Sequence, residues 1–127
     1  MTAYSKILIA EKNGIISMDL ESNLEDLGHR VVRVASGKEA VDEALKNPPD
    51  LFLTNIALKG KMSGIEAAKQ IRRYFEIPII YIVPHVDEEM LKKAQIAGPS
   101  TYCFTLPFED DELRAVVTAV LRKPNLG

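Results

Sequence analysis

The chain has 127 residues, 46% of them apolar and 27% charged, and a formal net charge of -2. That is one domain's worth of sequence, with enough apolar material to bury a core without disulfides or metal, so a disordered chain is excluded. The charge balance supplies no overall footprint for nucleic acid.

Taken in order, short apolar runs alternate with amphipathic stretches of helical length, five times over. Ile7 to Ala10 is wholly apolar, as a strand buried on both faces requires. Ile16, Leu20, Leu24 and Leu27 then recur at spacings of three and four, and Gly28 follows as a C′ glycine. Val31 to Val34 reads as the second strand. Ser36 and Glu39 have the spacing of a capping box, Ala40, Val41, Ala44 and Leu45 supply an inner face, and Pro48 and Pro49 stop that helix. Leu51 to Leu53 opens the third strand. Ser63 and Glu66 repeat the capping box, ahead of Ile65, Ala68 and Ile71 on one side and Arg72 and Arg73 near the end, where cations suit the helix dipole.

After Pro78, Ile79 to Val83 reads as the fourth strand. Asp87 caps a fourth helical stretch with Met90, Leu91 and Ala94 on one face and Gly98 as its stop. Tyr102 to Leu106 is the fifth strand, and a last helix runs from about Glu109 to Arg122 with Leu113, Val116, Val117, Val120 and Leu121 as its stripe. The domain is expected over residues 1–123, with 124–127 as a frayed tail. Five βα units with short, right-handed connections imply a parallel sheet covered on both faces, a doubly wound α/β architecture. Ligand chemistry in such sheets collects at the carboxyl ends of the strands, which singles out Glu11, Lys12, Asn55, Val83 and Leu106.

Four landmarks stand in order: KILIAEKN at 6–13, PDLFLTNIALKGKMSGIEAA at 49–68, IPIIYIVPHVDEE at 77–89 and LPF at 106–108. Together they make the chain resemble the receiver domains of two-component response regulators, from Lys6 to about Leu121. The resemblance implies a flavodoxin-like fold: a five-stranded parallel sheet of order 2-1-3-4-5 with five helices. It also implies a phosphorylation pocket, and there this chain departs from the family pattern. Where receivers place two acids after the first strand to hold a divalent cation, this chain has Glu11 and Lys12. The phosphoacceptor aspartate is matched by Asn55, whose amide is too weak a nucleophile to take a phosphoryl group. The hydroxyl residue of the fourth strand is matched by Val83, followed by Pro84, and the lysine of the fifth by Leu106, ahead of a Leu106–Pro107 peptide expected to be cis. Tyr102 or Cys103 takes the aromatic switch position, depending on register.

The expectation is a degenerate pocket with no catalytic residue and no cofactor, in which Mg²⁺ binds weakly or not at all, with Glu11 as the residual candidate ligand. Two placements of Lys12 stay open: toward Glu11 or the Asn55 carbonyl oxygen, in the cation's space, or out into solvent. Asp50 lies at the wrong end of the third strand to substitute, Ser63 and Thr54 read as a cap and a strand residue, and the 87–89 acids serve a helix start. His29 and His85 lack ligand partners at metal spacing within their own segments. Cys103 reads as a buried inert thiol, and one cysteine makes neither an internal disulfide nor a multi-cysteine zinc site.

Without phosphoryl chemistry the expected function is protein interaction in a two-component or phosphorelay pathway. The resemblance puts the interaction surface on the fourth helix, fifth strand and fifth helix, drawing on Met90, Lys92, Lys93, Tyr102, Pro107 and Arg114. Expected partners are a signalling protein such as a sensor kinase, regulator or output domain, with no direct nucleic acid and no membrane; a weak homodimer through the same face is a further expectation. No run approaches the roughly 20 apolar residues of a membrane span and Met1 to Lys6 lacks a signal-peptide core, so a cytoplasmic location is expected. Two alternatives remain: a receiver using a non-standard acceptor or metal site, and a structural dimerisation domain.

Overall fold

The computed structural model describes residues 4–84, 89 and 100–122. The elements run β1 (Lys6–Ala10), α1 (Gly14–Asp26), β2 (Arg30–Val34), α2 (Gly37–Lys46), β3 (Leu51–Asn55), α3 (Gly64–Arg72), β4 (Ile79–Pro84), β5 (Thr101–Leu106) and α4 (Asp110–Arg122). All strand pairings are parallel, in the order β2-β1-β3-β4-β5. The sheet and order therefore agree with expectation. Four helices are delimited among the described residues; of the helix expected from Asp87 to Gly98 only Glu89 is described, helical and exposed, and the tail at 124–127 lies outside them.

The alternation of side chains along each strand divides the core in two. One cluster joins Leu8, Ala10, Phe52, Ile79, Tyr81 and Val83 to Ala40, Val41 and Ala44 of α2 and Ala67, Ala68 and Ile71 of α3. The other joins Ile7, Ile9, Leu51, Leu53, Ile80 and Ile82 to Leu20 and Leu24 of α1 and Leu113, Val117 and Val120 of α4. Period-two strands covered on both faces become continuous apolar runs, which is why β1 and β3 carry so little polar sequence.

Helix ends follow local chemistry, with three departures from the sequence reading. Leu27 closes α1 as its C-cap and is 37% exposed, so it leaves the inner stripe. Gly28 follows at φ 92, with its N–H on the Glu25 carbonyl at 2.8 Å and that of His29 on Leu24 at 3.2 Å, the paired bonds of a Schellman turn. Leu45 is 45% exposed because the buried face of α2 centres on Ala40, Val41 and Ala44 and turns away by the next residue. At Ser36 the box is only half made: its hydroxyl accepts the Glu39 N–H and donates to Glu39 Oε1. The Ser63–Glu66 box is complete in both directions.

Candidate functional site

Glu11 follows β1 and Asn55 ends β3, so parallel pairing of these adjacent strands brings the two side chains together at the carboxyl edge. Both are nearly sealed from solvent, at 4% and 7% exposure. Asn55 Nδ2 donates to Glu11 Oε1 at 3.0 Å, and Asn55 Oδ1 accepts the Ala57 N–H at 3.1 Å. A carboxylate only accepts and a backbone N–H only donates, so the two neighbours fix which way the amide points. Glu11 Oε2 takes the Asn13 N–H at 3.3 Å. Asn13 was not anticipated as part of this site. Its Oδ1 also caps α1 by accepting from Ile15 and Ile16, and an Asn placed just ahead of a helix was the available signal.

The floor beneath the pair is rigid. Thr54 Oγ1 donates to the Asn55 carbonyl at 2.8 Å, and the Gly64 N–H donates to Ile56 at 2.8 Å. A Cβ on Gly64 would overlap the Asn55 carbonyl oxygen and crowd Thr54 Oγ1, so only glycine allows α3 to start this close to β3.

The other sequence-predicted pocket residues are placed as follows. Of the two placements open for Lys12, the structure has the solvent one: Lys12 is exposed and makes no ion pair with Glu11, whose carboxylate accepts from Asn55 and Asn13. Val83 is fully buried in the α2–α3 core. Leu106 is half-buried and packs with the α1–α4 core, and its peptide bond to Pro107 is cis. The carboxyl ends of β4 and β5 are thus apolar at both positions. Cys103 pairs with Tyr81 across β4 and β5 and faces the α2–α3 core, whereas Tyr102 faces the α1–α4 core. Cys103 is half-buried rather than sealed, and burial pushes its thiol above the usual range, which keeps it protonated.

Residues set aside on sequence grounds have structural work. Asp50 Oδ2 accepts the Lys6 N–H at 2.8 Å, at the far end of the sheet from Asn55. His29 Nδ1 accepts the Ser5 N–H at 3.0 Å, and its burial lowers its pKa against a smaller opposing pull from Asp50. His85 and Asp87 lie outside the described residues. Among the described residues no three His, Cys, Asp or Glu side chains come together as a metal-ligand group.

Of the expected interaction face, Met90, Lys92 and Lys93 lie outside the described residues. Pro107 is exposed and Tyr102 half-buried. Arg114 points elsewhere: its Nε donates to Asn23 Oδ1 at 3.0 Å and its Nη2 to Asp26 Oδ2 at 3.2 Å, tying α4 to α1. Among the described residues no helix is long and apolar enough to cross a membrane.

Comparison with known proteins agrees with the geometry. The response regulator receiver domain family matches residues 7–118. The phyllosphere-induced regulator PhyR of Methylorubrum extorquens is 34% identical over 119 residues, 92% of this chain and 43% of that protein. The alkaline phosphatase synthesis transcriptional regulatory protein PhoP of Bacillus subtilis is 32% identical over 122 residues, 96% of this chain and 50% of that protein. This chain thus spans about half the length of those relatives. The solution NMR structure of the receiver domain of Erythrobacter litoralis PhyR superposes with a TM-score of 0.86 at 30% identity, covering 98% of this chain and 95% of that one.

Proposed function

Since this chain belongs to the response regulator receiver domain family, we propose that it is a receiver that has given up phosphoryl transfer and serves signal transduction as a protein-interaction module. The observation that carries this reading is the Asn55–Glu11 hydrogen bond at the carboxyl edge. Phosphoryl transfer to a receiver needs a carboxylate nucleophile at that place and a cation to neutralise the acids around it. Here an amide stands at the acceptor position and its N–H satisfies the carboxylate that would face the metal. The donor set does not fit Mg²⁺: Glu11 is the one acid at this place among the described residues, both its oxygens accept hydrogen bonds from Asn55 and Asn13, and Lys12 replaces the second acid. Val83 and Leu106 offer neither a hydroxyl nor an ammonium to a phosphoryl group.

On this reading the chain is not an enzyme, needs no cofactor and acts in the cytoplasm on a signalling protein such as a sensor kinase, a regulator or an output domain. The direct test is incubation with acetyl phosphate or phosphoramidate plus Mg²⁺, followed by intact-mass measurement. The expected result is an unchanged mass; a stoichiometric gain of one phosphoryl group would overturn the reading.

A further inference from the structure

The carboxyl edge carries four cations that the Glu11–Asn55 pair does not use. Lys12 follows β1, Lys38 lies in the first turn of α2, and Lys59 and Lys61 stand in the connection from β3 to α3; all four are exposed. Their loops are stitched together. The Glu11 N–H donates to the Val34 carbonyl at 3.0 Å and the Lys59 N–H to that of Ala35 at 3.1 Å, Ser36 and Lys59 form an isolated bridge, and Met62 packs over Gly37.

The acids of the same loops are already engaged. Glu39 Oε1 accepts the Ser36 hydroxyl, Glu66 Oε1 accepts the Ser63 N–H, and Glu11 is buried under the Asn55 amide. The ion pairs found among the described residues, Lys6–Glu43, Arg33–Glu21 and Arg114–Asp26, include none of the four lysines. A chain of net charge -2 therefore gathers on one rim positive charge that no ion pair among the described residues answers.

We propose that this rim docks an acidic segment of a partner protein, whose carboxylates meet Lys12, Lys38, Lys59 and Lys61 while an apolar side chain rests on half-buried Leu58 and Met62. The proposal rests on the reading of the chain as a module that binds in its unmodified form. Protein is favoured over nucleic acid by composition: residues 11–13, 35–38 and 56–63 contain no arginine to fork a phosphate and no aromatic ring to stack a base. Charge complementarity of this kind sets association rate and partner choice.

The test is titration of the ¹⁵N-labelled full chain with a glutamate-rich peptide, with oligothymidylate and anionic phospholipid vesicles in parallel. The peptide should shift the amides of residues 12, 36–38 and 57–63. Its affinity should fall about tenfold or more as salt rises from about 0.01 to about 0.1 M and the screening length shrinks from about 30 to about 10 Å. The double variant Lys59→Glu/Lys61→Glu should lose about tenfold at low salt, whereas Lys46→Glu/Lys69→Glu, with the same change of net charge elsewhere on α2 and α3, should change it less than about twofold. Equal losses in the two variants, shifts that miss the rim, or tighter binding of the oligonucleotide or vesicles would overturn the proposal. The acetyl phosphate experiment reads mass alone, so phosphoryl uptake with rim binding intact would sink only the unmodified reading. Lost rim binding with unchanged mass would sink only the rim.

Discussion

A carboxylate at position 55 would set a second negative charge beside buried Glu11; the amide replaces that repulsion with a 3.0 Å hydrogen bond. Hydrogen bonds to charged groups contribute about 1.5–3 kcal/mol, and two adjacent carboxylates resist joint ionisation. Asn55→Asp should therefore cost about 1–3 kcal/mol at neutral pH in denaturant unfolding, and Mg²⁺ should recover part of that loss while leaving the parent chain unaffected. A variant as stable as the parent without Mg²⁺ would show that the bond contributes nothing. His29 makes a second prediction. Its folded-state pKa lies below the ordinary 6.5 because burial disfavours the imidazolium and Nδ1 is occupied as an acceptor. The unfolded chain then takes up the proton first as pH falls, so this contribution to stability is complete above about pH 6.5 and is lost progressively below it. An NMR titration should place the imidazole midpoint under 6.5, and the stability gap between the parent and His29→Gln should narrow from about pH 7.5 to about pH 5. At this scale residue identity told much: Asn55, Val83 and Leu106 could each be judged by the group they lack. The orientation of Lys12 could not, since a long flexible lysine can reach either a carboxylate or solvent from one backbone position.

Elements were legible wherever one periodicity dominated, as in the uniformly buried strand β3 and the α2 face of Ala40, Val41 and Ala44. They were less so where polar side chains do the joining. Asn23 is 3% exposed in the last turn of α1, where it donates to the Asp19 carbonyl and Asp110 and accepts from Arg114, a residue 91 positions away. No local pattern could announce that partnership, and it is what diverted Arg114 from the expected outer face. Asn23→Ala should cost about 0.5–1.5 kcal/mol by denaturant unfolding, because it removes the hydrogen bonds that join buried Asn23 to Asp110 and Arg114 across the α1–α4 seam. Tyr81 in β4 behaves oppositely. It is fully buried, its hydroxyl has no hydrogen-bond partner among the described residues, and burial next to the apolar core pushes its pKa up to about 12, against a smaller pull from Arg72. Removing an unsatisfied hydroxyl while keeping the ring should be neutral or stabilising by up to about 1 kcal/mol. A Tyr81→Phe chain that melts several degrees lower would mean the hydroxyl has a partner.

For the whole molecule, alternating apolar and amphipathic stretches were sufficient to indicate a parallel sheet covered on both faces. The strand order came only with the family landmarks, because periodicity carries no information about which strands are neighbours. Charge, by contrast, is distributed in a way that totals conceal: a net of -2 contains a lysine rim over the β1, β2 and β3 ends and exposed acids on α4. Light scattering over a dilution series distinguishes an interaction module from a dimerisation domain. The expected mass at low concentration is 14.1 kDa; twice that value, persisting on dilution, would favour the dimer. One feature of the site also acts at this scale. Because Gly64 lets α3 begin in contact with the Asn55 carbonyl, the start of α3 and the end of β3 leave no room for even one methyl group between them, so helix, strand and site keep a single relative placement.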